Sequence, residues 1–489
     1  MAKKKENELT YLQSPLPEGQ KYYKSTKVSF SGLNKRYTLD TGVLSYEKNI
    51  STVEAPYLTP SPVPRAIYNS TNILDVFGFE DFLVVVRNDG SNTYIDYIDE
   101  NGRFATGSLG NNDKSHRSIV QFNVYDTPTD VLGGEYVKKL LVFPDKKSMD
   151  LNITRNYTTP TDLKPASLEI EGQHYLPDIK YATVHLSRVF GVGDDRVYAS
   201  GFNDYSNWNL DTAEEYNESN AWCSPAQANV KADSKFTGIT TYQNHVVCFK
   251  RNFMHEIYNT KNPFRIQDIY AEGAIDNRTI QDVDGQLIFV SDDNVKIYTG
   301  SNPKIISHAL NIHKYDSAVS GQDGRSYYLY TKSGDKGYFF VYDTMIDEWS
   351  EREATTEIMG FANNSSGIYM ATSNSVYKLD TSNYTGEWAF ETDLVTNNTV
   401  DIKHIKKLQM LGDFDNCDLD VYILYDDEVF NAETSHKVFS RVDLTGRKPI
   451  RVKPRNTAHY GFKLHFEGKG YAKLYELEIF TEQGGGLYV

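Results

Sequence analysis

The sequence predicts an all-β protein whose body is a β-propeller of six or seven blades, and three observations carry that expectation. Thirty-six Tyr and 24 Phe against four Trp and seven Met, with 33 Gly, are the ingredients of half-buried strands and tight turns. A theme of apolar strand, polar turn and second strand recurs seven times: DFLVVVRNDGSNTYIDYID, KLLVFPDKKSMDLNI, SRVFGVGDDRVYASGF, HVVCFKRNFMHEIYNT, QLIFVSDDNVKIYTGS, RSYYLYTKSGDKGYFFVYDT and GIYMATSNSVYKLDTS. In the last four, Val247, Ile288, Tyr328 and Tyr369 take equivalent places, at steps of 41, 40 and 41 residues. A period near 40 with about four short strands per unit is the signature of a propeller blade.

Taken in chain order, residues 1–64 read as an extended N-terminal arm and linker. Pro56, Pro60, Pro62 and Pro64 oppose helix and central strand, and FSGLNKRYTLDTGVLSYEKNIS before them is expected to form a short hairpin. Residues 65–386 are the propeller, with the stretch from Asp204 to Asp233 expected as a long loop between blades. Within it, YFFVYDTMIDEWSE places Trp349 six residues after Asp343, much as in kelch-like blades, where the indole packs between neighbouring sheets. Residues 387–489 lose the 40-residue period and alternate over long runs, which predicts a C-terminal antiparallel β-sandwich.

Several function classes fall away. No stretch approaches the roughly 18 apolar residues of a membrane-spanning helix, so no membrane insertion is expected. The MAKKKENELTYLQ start has no apolar segment after its lysines, which is not the pattern of a secretory signal. A chain assembled in a reducing cytosol is expected, with Cys223, Cys248 and Cys417 too few and scattered for a disulfide framework or a zinc knuckle. A net charge of −15 opposes binding to free nucleic acid, which needs clustered Lys and Arg. It suits either a soluble protein dispersed by its charge or a wall past which nucleic acid slides.

Catalytic motifs are missing: there is no HExxH, GxSxG, GxxxxGK[ST] or helix-opening GxGxxG. No catalytic, cofactor-binding or metal-binding residue is nominated, and no cofactor is expected. His308 and His313 are five apart and read as turn residues, because zinc needs three or four convergent ligands. Asp89, Ser91, Thr93 and Glu100 match positions 1, 3, 5 and 12 of a calcium loop, but Tyr94 occupies the position where the loop requires Gly, so the segment reads as a hairpin arm. Asp292 with Asp293, and Asp426 with Asp427, could serve a glycosidase as acid and nucleophile, yet adjacent acids in polar turns are ordinarily solvated. Arg451, Lys453 and Arg455 alternate and would share one strand face, either solvated or set against an acidic neighbour or a phosphate backbone. Lys3 to Lys5 read as part of a loose start.

The run FTGITTYQNHVVCFKRNFMHEIYNTKNPFRIQDIYAEGAIDNRTIQDVDGQLIFVSDDNVKIYTGSNPKIIS resembles the core of tail nozzle proteins of short-tailed bacteriophages, also called tail tubular protein B or stabilisation proteins. The resemblance rests on a strand ending in Phe249-Lys250, the link Glu272-Gly273-Ala274, the S-[DN]-x-x-[VI]-x-x-Y element at Ser291 to Tyr298, and Lys304 to Ser307. Gly32-Leu33-Asn34 and Asn49-Ile50 are similar to that family's opening segment. The chain is shorter than many nozzles, which puts their inserted gate or fibre-docking domains in doubt.

The resemblance implies a structural virion protein, not an enzyme. About six copies would form a homohexameric ring beneath the portal and adaptor, extending and closing the DNA ejection channel and carrying tail fibres or other appendages. DNA would pass without specific binding along a wall carrying −90 in total. The place of action would be the virion tail, assembled in the host bacterial cytoplasm. Two other classes stay open: a carbohydrate- or receptor-binding adhesin, for which tyrosines expected to be exposed in NDYSNWNLDTAEEYNESNAW, Tyr205 and Tyr216, would offer faces to sugars, and a propeller glycoside hydrolase.

Overall fold

A computed structural model describes residues 22–483, apart from 29, 37–42, 126–135, 152, 169–175, 211–216, 218, 226–234, 398, 400, 427 and 456–457. Seven mainly antiparallel sheets of four or more strands follow one another around an axis. Six have their four main strands within 73–108, 118–167, 181–223, 236–269, 281–305 and 317–352, and the first gains a fifth, parallel strand, Thr161–Leu163, from the second segment. The seventh takes three strands from 358–378 and its fourth from Arg65–Asn69, which pairs antiparallel with Ser375–Lys378. The propeller is thus closed by a strand from before the first blade, and that closing joint holds the two ends of the repeat together through main-chain hydrogen bonds.

The seven repeated segments of the sequence are the middle strands of the seven blades. Val247, Ile288, Tyr328 and Tyr369 all lie on the second strand of a blade, in His245–Lys250, Gln286–Val290, Ser326–Ser333 and Gly367–Thr372. These strands read as continuous apolar runs because both of their faces are covered by neighbouring blades. Among the described residues, seven separate hydrophobic clusters each bridge one pair of adjacent blades. Val85 and Ile98 of the first blade pack with Tyr369 and Ala371 of the seventh, so closure is apolar as well as hydrogen-bonded. Trp349 lies buried between the fifth and sixth blades, and its Nε1 donates to the Ile306 carbonyl at 2.8 Å.

Two expectations need correction. The stretch from Asp204 to Asp233 is not a loop between blades: Trp222–Cys223 within it is the fourth strand of the third blade, paired with Val197–Ala199. Nor do residues 22–60 form a free arm. Tyr22–Val28 pairs with residues 477–483, Val43–Lys48 pairs with Glu387–Thr392, and Leu58 pairs with Leu474. Ser31–Leu33 and Val43–Lys48 lie parallel to each other, not as a hairpin. The prolines are accommodated because Pro60 sits at the end of its short strand and Pro62 and Pro64 lie outside strands.

The second domain therefore contains both ends of the described chain, in one ten-stranded sheet. Its framework is three long antiparallel strands, Lys403–Tyr425, His436–Val452 and Phe462–Gln483, of 23, 17 and 22 residues. Register shifts between Phe414 and Cys417 break the long ladder at mid-length. Both halves face a single core, in which Leu408 and Met410 join Val421 and Ile423. Gly470 sits opposite this bulge at φ +97°, and a Cβ there would lie 2.3 Å from the Asn416 carbonyl oxygen, so the bend requires glycine.

The two domains are locked along Glu348–Arg352, the outer strand of the sixth blade. Asn49 N donates to the Glu351 carbonyl at 3.0 Å, Glu353 N to Asn49 Oδ1 at 2.9 Å, and Arg325 to the Val53 carbonyl at 2.9 Å. Lys35 pairs with Glu351 at 2.6 Å and Lys48 with Glu353 at 2.9 Å.

Candidate functional site

Two concave places in this scaffold gather polar side chains. The first is the propeller axis, a cavity of about 370 Å³ lined by the innermost strand of every blade, with Thr183, Thr240, Gln281, Gln322 and Asn363 among its walls. Its charged centre is Arg278, placed by the short 3₁₀ turn Asn277–Thr279 that Asp276 caps. The guanidinium donates to both carboxylate oxygens of Asp276, at 3.2 and 2.9 Å. It also reaches the far side, where Nη1 lies 3.0 Å from His116 Nδ1, 3.4 Å from the Met359 carbonyl and 3.9 Å from Asp75 Oδ1. Asp75 in turn accepts from Arg117 N at 3.0 Å, and Arg117 makes a buried bidentate pair with Asp145 at 2.9 and 3.1 Å. Arg278 thus ties the entry to the fifth blade to the first, second and seventh blades across the axis. Its chemistry is that of a latch, because its donors are already taken by protein acceptors.

The second place is a cleft of about 800 Å³ on the C-terminal sheet. At its floor His465, 2% exposed, is stacked on Phe430 with ring centroids 3.6 Å apart. His465 Nδ1 lies 3.3 Å from Glu391, and Lys463 reaches the other Glu391 oxygen at 3.0 Å. Burial pushes the Glu391 carboxyl up, but His465 and Lys463 beside it bring it below the usual carboxylate range. An imidazole oriented by a carboxylate has the makings of a general base. In this cleft the Phe430 ring covers its face, and Nε2 is buried without a hydrogen bond, 3.8 Å from Glu467 Oε1. His465, Glu391 and Lys463 together brace the cleft floor. Val429 and Val442 stand at the mouth, 87% and 65% exposed.

The residues singled out in the sequence do not converge. His308 lies on a short 3₁₀ turn with His313 beyond its end, and among the described residues no group of three or more His, Cys, Asp or Glu is placed to hold a metal ion. Asp89 caps a hairpin turn by accepting from Ser91 N and Asn92 N, both at 2.8 Å. Glu100 pairs with Lys378 at 2.6 Å. Asp292 is paired with Arg251. Asp426 accepts from Tyr460 N and Gly461 N at 3.1 and 3.0 Å, while Asp427 and Lys3 to Lys5 lie outside the described residues. Arg451, Lys453 and Arg455 are exposed. Cys248 and Cys417 are buried and Cys223 is half-buried; burial pushes the Cys417 thiol up to about 12.

Of the two tyrosines proposed to face sugars, Tyr205 is half-buried and packs on Phe122, and Tyr216 lies outside the described residues; Trp208 and Trp222 of the same stretch are buried. Sequence reasoning missed Arg278 and His465. Arg278 stands as a lone Arg in AIDNRTIQD, and the partners that give it meaning include His116, 162 residues away, and the still more distant Asp75.

No family model matches the chain, and no curated protein matches it. Among solved structures, the chain is similar to the WD40 domain of Pan2 from Neurospora crassa, with a TM-score of 0.38 and 8% identity over 66% of this chain and 97% of that one. It is also similar to the WD40 domain of SCAP from fission yeast, with a TM-score of 0.33 and 9% identity over 66% of this chain and 98% of that one. The molecule itself belongs to the class of seven-bladed β-propellers, on the strength of its own strand pairing.

Proposed function

We propose that this chain is a structural subunit of a bacteriophage tail nozzle, a ring that extends and closes the DNA ejection channel below the portal and adaptor. The observation that carries the reading is mechanical. A closed propeller and a sheet that contains both ends of the described chain are joined along one outer strand, and a subunit braced in that way can serve as the unit of a closed ring. The propeller's own axis is narrow and latched by Arg278, so a conduit for DNA would run between copies, along walls with an excess of acid. The likeness of residues 236–307 to tail nozzle proteins supports the same reading. Electron microscopy of the purified protein mixed with a portal–adaptor complex tests it: a closed ring on the tail axis is expected, and no incorporation of the protein would overturn it.

A further inference from the structure

The outer strand His436–Val452 lies at one end of the ten-stranded sheet, and among the described residues only Lys403–Tyr425 and none of the other strands pairs with it. No described strand pairs with its opposite edge, and an unpaired strand edge presents main-chain donors and acceptors. Residues 436–455 hold seven Lys or Arg and one acid, Asp443. That is a net +6, and it leaves −21 on the rest of a chain whose total is −15. Ile450 and Val452 point into the core while Arg447, Arg451, Lys453 and Arg455 are exposed, a basic row with the last three at intervals of about 7 Å and Arg447 about 13 Å before them along an extended chain. Next to this row the same strand contributes Arg441 and the exposed Val442 to the mouth of the cleft, opposite the exposed Val429. An apolar patch beside a charged margin is the anatomy of a protein interface.

Protection of a strand edge against aggregation explains one or two charges and Pro449. It does not explain seven cations of one sign on an acidic chain, set beside two exposed valines. A ring is made by head-to-tail contacts, in which two different surfaces of the same chain must be complementary. The +6 segment 436–455 and a remainder of −21 supply two such surfaces, whereas the overall charge opposes a phosphate backbone as the partner.

Resting on the nozzle reading, we propose that the His436–Val452 edge, with Arg447, Arg451, Lys453 and Arg455 and the neighbouring Val429 and Val442, docks onto an acidic surface of a second copy of this chain. The test uses the full chain in two variants, R447E/R451E/K453E/R455E and V429S/V442S. All six side chains are exposed, so thermal melting is expected to match the wild type. Native mass spectrometry and light scattering at ~50 and ~500 mM salt, alone and with the portal–adaptor complex, read the assembly state. The wild type is expected to form oligomers that weaken in high salt. The charge-reversed variant should lose about tenfold or more in self-association, and the serine variant should weaken without losing the salt dependence. Wild-type rings with both variants assembling equally well would overturn the docking surface and leave the nozzle reading standing. A wild type that stays monomeric alone and on the portal–adaptor complex would overturn both. Retention of duplex DNA by the wild type, lost on charge reversal with assembly unchanged, would reassign the row to phosphate and also overturn the proposal.

Discussion

Glu47 is the residue at which burial and charge conflict most sharply. It is 1% exposed in the seam between the domains, facing Glu351 and Glu348 with Lys35 as the nearby cation. Burial pushes its carboxyl well above the usual range, and burial raises Glu351 and Glu348 as well. A raised folded-state pKa means the native state holds protons that the unfolded chain releases. The contribution is therefore fully present below the ordinary value of 4.5 and is lost as pH rises through the raised value. Glu47→Gln, which cannot ionise, should stabilise the protein at neutral and alkaline pH by on the order of 1 kcal/mol and change little near pH ~4; calorimetric melts across pH check this. The opposite sign holds in the blades. Burial lowers His185, His245 and His255 below 6.5, so their contribution is present above that value and is lost as pH falls through their lowered folded-state values. Their share of the stability should accordingly shrink between pH ~7 and ~5, so that over this range His255→Phe loses less melting temperature, or gains more, than the wild type; melts of both across pH check this.

Blades owe their legibility to the fact that each second strand is buried on both faces, so HVVCFK, QLIFV and SYYLY declare themselves without help from distant residues. Trp349 was equally readable, because an indole in that place fills the wedge between two sheets. Replacing Trp349 with Ala should cost about 3–5 kcal/mol in chemical denaturation and loosen the joint between the fifth and sixth blades first. An unchanged denaturation midpoint would show that the wedge is filled from elsewhere. The motif residues that suggest a nozzle also prove to be elements of blade construction. Ser291 closes a turn on the Asn294 carbonyl, Ser307 Oγ accepts from Val295 N, and Tyr298 donates to the buried Glu256 of the fourth blade. Their spacing follows from holding a blade together, which is why they could be seen in the chain. The outer strands were harder: Arg265–Ile269 and Lys304–Ile305 are exposed or half-buried and short, so no apolar pattern marks them. The axial latch and the cleft floor were invisible, since Arg278 with His116 and His465 with Phe430 meet only after the sheets have formed.

At the scale of the whole molecule, the segment that looks least structured in the sequence does the most to join its parts. Residues 22–60 are polar and proline-marked, yet they deliver Val28, Phe30, Leu44, Ile50 and Leu58 into the core of the C-terminal sheet, and hydrophobic periodicity within the segment alone cannot show a partner more than 300 residues away. Deleting residues 2 to 55 removes the first four of these. At about 1.5–3 kcal/mol for each fully buried side chain, the loss is on the order of the 5–15 kcal/mol that holds a typical domain folded. Arg65–Asn69 stays in the truncated chain, so the seventh blade keeps its closing strand. The expected outcome is therefore a split one. Hydrogen exchange should show the blade strands between residues 73 and 378 still protected, while 403–483 exchanges freely and the chain tends to aggregate through its exposed long strands. Protection of 403–483 at wild-type levels would mean that the long strands close on their core without the N-terminal segment, and that the interlock of the chain ends serves assembly and not folding.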